Sequence, residues 1–131
     1  MCGNSVLFSM QTVIETPAYL ASAKEEGVTN QEREEIVSFL ATNPDAGDLM
    51  AGTGGARKVR VAGRGKGKSG GYRVITFYHD PSMPVFLLDI YGKDSQSNLS
   101  QAERNELKKV LTDLPRAWNE MVKSRVRKIR R

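Results

Sequence analysis

Residues 57–91 read RKVRVAGRGKGKSGGYRVITFYHDPSMPVFLLDIY, and this stretch decides the fold. Lys58 to Ala62 alternates charged and apolar side chains, with Lys58 and Arg60 set against Val59 and Val61. A period of two predicts a strand with one face on a core and a basic face outward. Gly63 to Gly71 reads as a glycine-rich basic loop. Tyr72 to His79 is a second predicted strand, and Asp80-Pro81-Ser82 a turn. Pro84 to Tyr91 is a third, mostly apolar, which suits a central position in a sheet.

The same stretch carries the strongest chemical signal. Between Arg57 and Arg73 lie seven basic residues and no acid: Arg57, Lys58, Arg60, Arg64, Lys66, Lys68 and Arg73. Such a density calls for an anionic partner, and polyphosphate is the usual one. Residues on adjacent strands converge, so arginine forks and lysine point charges can clamp phosphate in one concave patch. The net charge of +5 hides an asymmetry that supports this. Residues 1–56 carry 2 basic and 8 acidic side chains, whereas residues 57–131 carry 18 and 7. A polyanion-binding face built from the later residues is expected.

Working outward, Gln11 to Glu15 is β-prone and reads as an edge strand. Pro17 fits the first turn of a helix capped by Thr16 and stopped by Gly27. Thr29 and Glu32 form a capping box that opens a second helix, directing Ile36, Val37, Phe39 and Leu40 to the core and ending near Asn43-Pro44. Residues 45–55 read as a loop. Ser100 and Glu103 predict a last capped helix with Leu107, Val110, Leu111 and Leu114 on one face. Pro115 can kink it or begin a new segment, and an apolar stripe from Trp118 to Ile129 continues through a basic tail. The order β-α-α-β-β-β-α predicts an α+β fold: a small antiparallel sheet, an N-terminal helical hairpin and a C-terminal helix, with the helices on one sheet face. The expected division is a disordered 1–10, a domain over 11–114 and a basic helical extension over 115–131.

Several chemistries fit poorly. Gly65 to Gly70 satisfies GxGxxG by letter, but a strand follows it where a dinucleotide fingerprint opens a helix. Gly67-Lys68-Ser69 echoes a P-loop, yet the glycine required five positions earlier falls at Ala62. His79 is the only histidine and reads as structural. With one cysteine, Cys2, and scattered carboxylates, no zinc site or acidic metal cluster is expected, so metal-dependent nuclease chemistry lacks ligands. No 18-residue apolar run exists to span a membrane. MCGNSVLFSM lacks the n-region and apolar core of a signal peptide, and a lone cysteine fits a reducing compartment. A cytoplasmic location is therefore expected. Tyr72, Phe77 and Tyr78 are too few and too strand-bound to make base-stacking platforms for a non-catalytic RNA-binding module.

Taken together, GTGGARKVRVAGRGKGKSGGYRVITFYHD and PVFLLDIYGKDSQSNLSQAE closely resemble the RelE/ParE toxins of type II toxin–antitoxin modules. The nearest pattern is the HigB-type RelE subgroup, with its GTGG-x-RK-[IV]-R opening, GKGK loop and YGK after the last strand. The resemblance spans roughly residues 10–114. It implies ribosome-dependent cleavage of messenger RNA without metal or cofactor: the ribose 2′-OH attacks the adjacent phosphodiester, leaving a 2′,3′-cyclic phosphate and a 5′-OH. On that pattern the implied catalytic residues are Lys58, Arg60, Arg73 and Lys93. Lys58 or Lys93 would do the acid/base work, and Arg60 and Arg73 would stabilise charge. Arg57, Arg64, Lys66 and Lys68 would bind RNA. Arg60 stands where some relatives have a lysine as base, a role arginine fills badly because its pKa exceeds about 12. Asp94 stands where some have an arginine, and Ser100 where they have a tyrosine. The implied partners are a helix-turn-helix, HigA-like antitoxin, the ribosome with its message, and operator DNA reached through the antitoxin. A ParE-like gyrase inhibitor is the alternative within the superfamily.

Overall fold

The computed structural model describes residues 10–63, 71–92 and 99–129. A five-stranded sheet, ordered β1-β5-β4-β3-β2, is formed by β1 (Val13–Glu15), β2 (Asp48–Leu49), β3 (Ala56–Val61), β4 (Tyr72–Phe77) and β5 (Val85–Gly92). Helices α1 (Pro17–Glu26) and α2 (Asn30–Thr42) follow β1, and α3 (Gln101–Ile129) closes the chain.

The α+β class and the helical hairpin stand as the sequence implies, with two refinements. The sheet is mixed: β1 pairs parallel to β5, placing Val13 beside Val85 and Glu15 beside Leu87, while the other three pairings are antiparallel. The helices cover both faces of the sheet instead of one. Leu40, Ile36 and Tyr19 of the hairpin pack on Val59, Val61, Val74, Leu87 and Ile90. On the opposite face Leu111 and Trp118 of α3 pack with Ile75, Phe77, Met83 and Phe86. The rings of Trp118 and Phe86 meet edge to face at 5.6 Å. Strands buried on both sides read as continuous apolar runs, which is what VITF and VFLL are.

Local signals hold where backbone chemistry is decisive. Thr16 accepts the Tyr19 N–H at 3.2 Å with Pro17 in the first turn, and Gly27 ends α1 in the left-handed region at φ 74°. Thr29 and Glu32 exchange their capping-box bonds at 3.0 and 3.1 Å, and Ser100 and Glu103 do the same at 2.8 and 3.1 Å. Each box satisfies two donors that a helix start leaves bare.

Elsewhere packing decides. Phe39 is 41% exposed, because the i, i+4 pair Ile36 and Leu40 takes the core face. The 45–55 loop contains β2, which pairs Asp48 with Lys58 and Leu49 with Arg57. Helix α3 runs through Pro115 as one element of 29 residues, and Trp118 carries its packing past Leu114.

Candidate phosphate-binding cleft

Helix α3 covers only part of its face of the sheet, and the basic residues occupy the rest. Alternation along β3 turns Val59 and Val61 to the hairpin side and Lys58 and Arg60 to the α3 side. Arg73 faces the same way from β4, directly across the ladder from Arg60. Tyr91 of β5 stands on the other side of Arg73, giving a cross-strand row Arg60–Arg73–Tyr91. Directly opposed residues in an antiparallel pair have Cβ atoms about 5 Å apart, and like charges there repel. The sheet thus holds two guanidinium groups where an anion between them would relieve that repulsion.

Lys58, Arg60, Arg73 and Arg104 line one cleft of about 390 Å³. Arg104, one turn into α3, donates from Nη1 to the Ala51 carbonyl at 2.5 Å, joining the helix to the loop that forms the cleft wall. That wall comes from β2 and the turn after it, with Asp48, Leu49, Met50 and Ala51. The GTGG turn fixes it in place. Thr53 is fully buried, donates to the Met50 carbonyl at 2.7 Å and accepts the Ala56 N–H at 3.0 Å. Gly54, at φ 78°, lies so close to α3 that a Cβ would sit 3.2 Å from the Cα and carbonyl oxygen of Lys108. Only glycine suits both that backbone conformation and that approach.

Electrostatics agree with the geometry. One carboxylate, Asp48, shares the cleft with the four cations. Tyr91 is buried, which pushes its phenol above the ordinary range, while the neighbouring Arg73 pulls it back down. Arg60 is exposed at the rim and also borders a smaller apolar hollow on the hairpin side, beside Glu32, Glu35 and Phe39.

The structure therefore brings together three of the residues singled out in the sequence, Lys58, Arg60 and Arg73. Arg57 stands off the cleft: it lies on alternate positions from Lys58 and donates to the Gly47 carbonyl at 3.0 Å. Arg64, Lys66, Lys68, Lys93 and Asp94 lie outside the described residues. Ser100 uses its hydroxyl as the cap of α3. His79 sits two residues past β4, stacked on Phe77 with ring centroids 6.5 Å apart and its Nε2 3.5 Å from Asp80, and does not line the cleft. Arg104 was missed, since nothing local in ERNE (residues 103–106) relates it to a strand 44 positions earlier. Among the described residues no group of three or more His, Cys, Asp or Glu side chains could hold a metal ion, and no helix is long and apolar enough to cross a membrane.

The α+β fold thus opens one end of a sheet face as a cationic cleft of about 390 Å³. The family model for the RelE toxin of the RelE/RelB toxin–antitoxin system matches residues 13–129, nearly the whole chain. The chain belongs to the RelE toxin family, and with it comes the role of toxin in a toxin–antitoxin pair, with a cognate antitoxin as partner. The match includes most of the basic tail, well beyond Leu114, where the resemblance read from the sequence ends.

Proposed function

We propose that this chain is a ribosome-dependent endoribonuclease that stops translation by cutting messenger RNA. The observation that carries the reading is the convergence of Lys58, Arg60, Arg73 and Arg104 on one cleft. Cleavage by an internal nucleophile needs three things: removal of the 2′-OH proton, stabilisation of a phosphorane with two negative charges, and a proton for the departing 5′-oxygen. The 2′-oxygen forms its bond to phosphorus as the bond from phosphorus to the 5′-oxygen breaks, leaving a 2′,3′-cyclic phosphate and a 5′-OH. Arg60 and Arg73 flank the phosphorane and carry its charge, with guanidinium forks matched to paired phosphate oxygens. Arg104 adds a third fork from α3. Lys58, two residues from Arg60 on the same face, exchanges protons with the reacting oxygens, and the family pattern gives Lys93 the complementary role.

The ribosome supplies what the cleft lacks. Its described lining contains no exposed aromatic ring to stack a base, so placing the message falls to the decoding site. A toxin that acts on translating ribosomes would do so in the cytoplasm. The antitoxin neutralises it by covering the cationic cleft or by keeping the toxin off the ribosome, and the pair reaches operator DNA through the antitoxin, which we expect to be HigA-like.

The test is a cell-free translation reaction with the message ends mapped by primer extension, beside the same RNA without ribosomes and with EDTA in a parallel sample of naked RNA. Cuts confined to translated message, carrying 2′,3′-cyclic phosphate ends, are expected. Intact message with gyrase blocked would move the chain to the ParE-like mode of action. Intact message with unaffected gyrase would leave an RNA-binding protein without catalysis.

A further inference from the structure

Helix α3 extends past the sheet it packs on. Trp118 is the last of its residues in the core, and Met121, Val122, Val126 and Ile129 beyond it are 41, 37, 46 and 80% exposed. An apolar stripe of this kind asks for a cover. A matching groove lies beside the N-terminal half of the same helix. Among the described residues no strand pairs with the outer edge of β5 beyond Leu87, and at its far end Glu26 of α1 accepts the Gly92 N–H at 3.0 Å. There α1 and α3 frame a groove of about 420 Å³, floored by Ile75, Leu88, Leu99 and Leu107 and rimmed by Val110, which is 55% exposed. Asp89, Glu103 and Glu106 give the groove a negative rim, whereas the tail carries Lys123, Arg125, Arg127 and Lys128.

We propose that the groove and the tail belong to each other in a symmetric dimer, with two copies of α3 packed antiparallel. The order of residues along the helix is self-complementary. An antiparallel pairing centred between Pro115 and Arg116 sets Glu103 opposite Lys128, Glu106 opposite Arg125 and Val110 opposite Met121 of the second copy. The centre brings Leu114 against the small Ala117. These positions recur at intervals of three and four, so they form one stripe on the helix, flanking the face that packs on the sheet. Glu103, Glu106, Arg125 and Lys128 are all exposed, and among the described residues none of the four makes an ion pair within its own chain. A two-fold axis repeats each contact, giving a self-complementary interface that closes at two copies. The paired segments run roughly 40 Å at about 1.5 Å per residue.

Sedimentation of the full chain across micromolar to millimolar concentration reads the association directly. The wild type is expected to approach twice the 14.5 kDa of one chain. Glu106→Lys and Arg125→Glu each place like charges across the seam and should both sediment as monomers, with unchanged circular dichroism. Mixed in equal amounts, the two variants pair Lys with Glu on one side and Glu with Arg on the other, so the mixture should recover the dimer. A wild type that stays monomeric throughout overturns the proposal, as does a tail that binds an RNA oligomer in that monomeric state. Variants that still dimerise would assign the contact to another surface, and a mixture that stays monomeric would disprove the antiparallel register.

Discussion

The two faces of the sheet use the same strands for opposite purposes. Toward the hairpin, Val59, Val61, Val74 and Leu87 are sealed under Tyr19, Ile36 and Leu40, and Arg57 stands at the margin of that face, bonded to the Gly47 carbonyl. Toward α3 the face is divided. Phe77, Phe86 and Ile75 lie under the helix, and Lys58, Arg60 and Arg73 stand beyond it beside Arg104. Each residue along β3 serves one face or the other, so a two-residue period lets a six-residue strand anchor the fold and carry the proposed chemistry together. The stability of the sealed face is what allows repelling arginines on the other, because an interior packed on one side can hold an unfavourable arrangement across the sheet.

Changes to the sealed face should cost the most. Leu40→Ala removes a fully buried side chain and should lower stability by about 2–5 kcal/mol in denaturant titration. A loss under about 1 kcal/mol would mean that the hairpin does not close this face. On the divided face, Gly54→Ala forces an L-residue into the left-handed region against the α3 backbone and should cost about 1–2 kcal/mol. Its further signature is a looser cleft wall, seen as faster amide exchange at Met50 and Ala56. Unchanged exchange would detach the GTGG turn from the site.

A third substitution sharpens the contrast by reversing sign. Arg60→Gln removes one of two opposed like charges and should raise stability by about 0.2–1 kcal/mol while lowering cleavage. A loss of stability would show that the pair is already offset by its surroundings. The smallest effect belongs to Tyr19. Its hydroxyl is buried without a hydrogen-bond partner among the described residues, and burial first, then Glu15, raises its pKa well above the ordinary 10.0. Burial also raises the phenol of Tyr91. Above pH 10 the unfolded chain releases these protons before the folded one does, so stability is complete below that pH and declines as pH rises. Tyr19→Phe should be near neutral at pH 7 and should flatten the alkaline decline. An unaltered decline would place the titration elsewhere.

How much of this was legible follows from which interactions are local. Thr16, Gly27, Thr29, Glu32, Ser100 and Glu103 announce helix ends because their partners lie within four residues. The separation of Lys58 and Arg60 from Val59 and Val61 was legible because alternation is geometric. The second helical layer was missed, although its signal was present: alternate positions of β4 and β5 are apolar on both sides, and a strand with two apolar faces needs two covers. The parallel pairing of β1 and the arrival of Arg104 in the cleft have no local signature. Both depend on where whole elements dock, which chain periodicity does not encode.

Family membership establishes a toxin with an antitoxin; the cleft is where its chemistry should reside. The most direct measurement sets Arg73→Ala beside the wild type in translating extract, with message cleavage and thermal unfolding followed on the same preparations. The account predicts cleavage reduced by about 10²–10³-fold, the scale of losing one preorganised charge-stabilising group, with the unfolding temperature unchanged or slightly raised, because the same pair of opposed like charges is broken. Full cleavage by a folded Arg73→Ala protein would contradict it and move the active site off this face of the sheet.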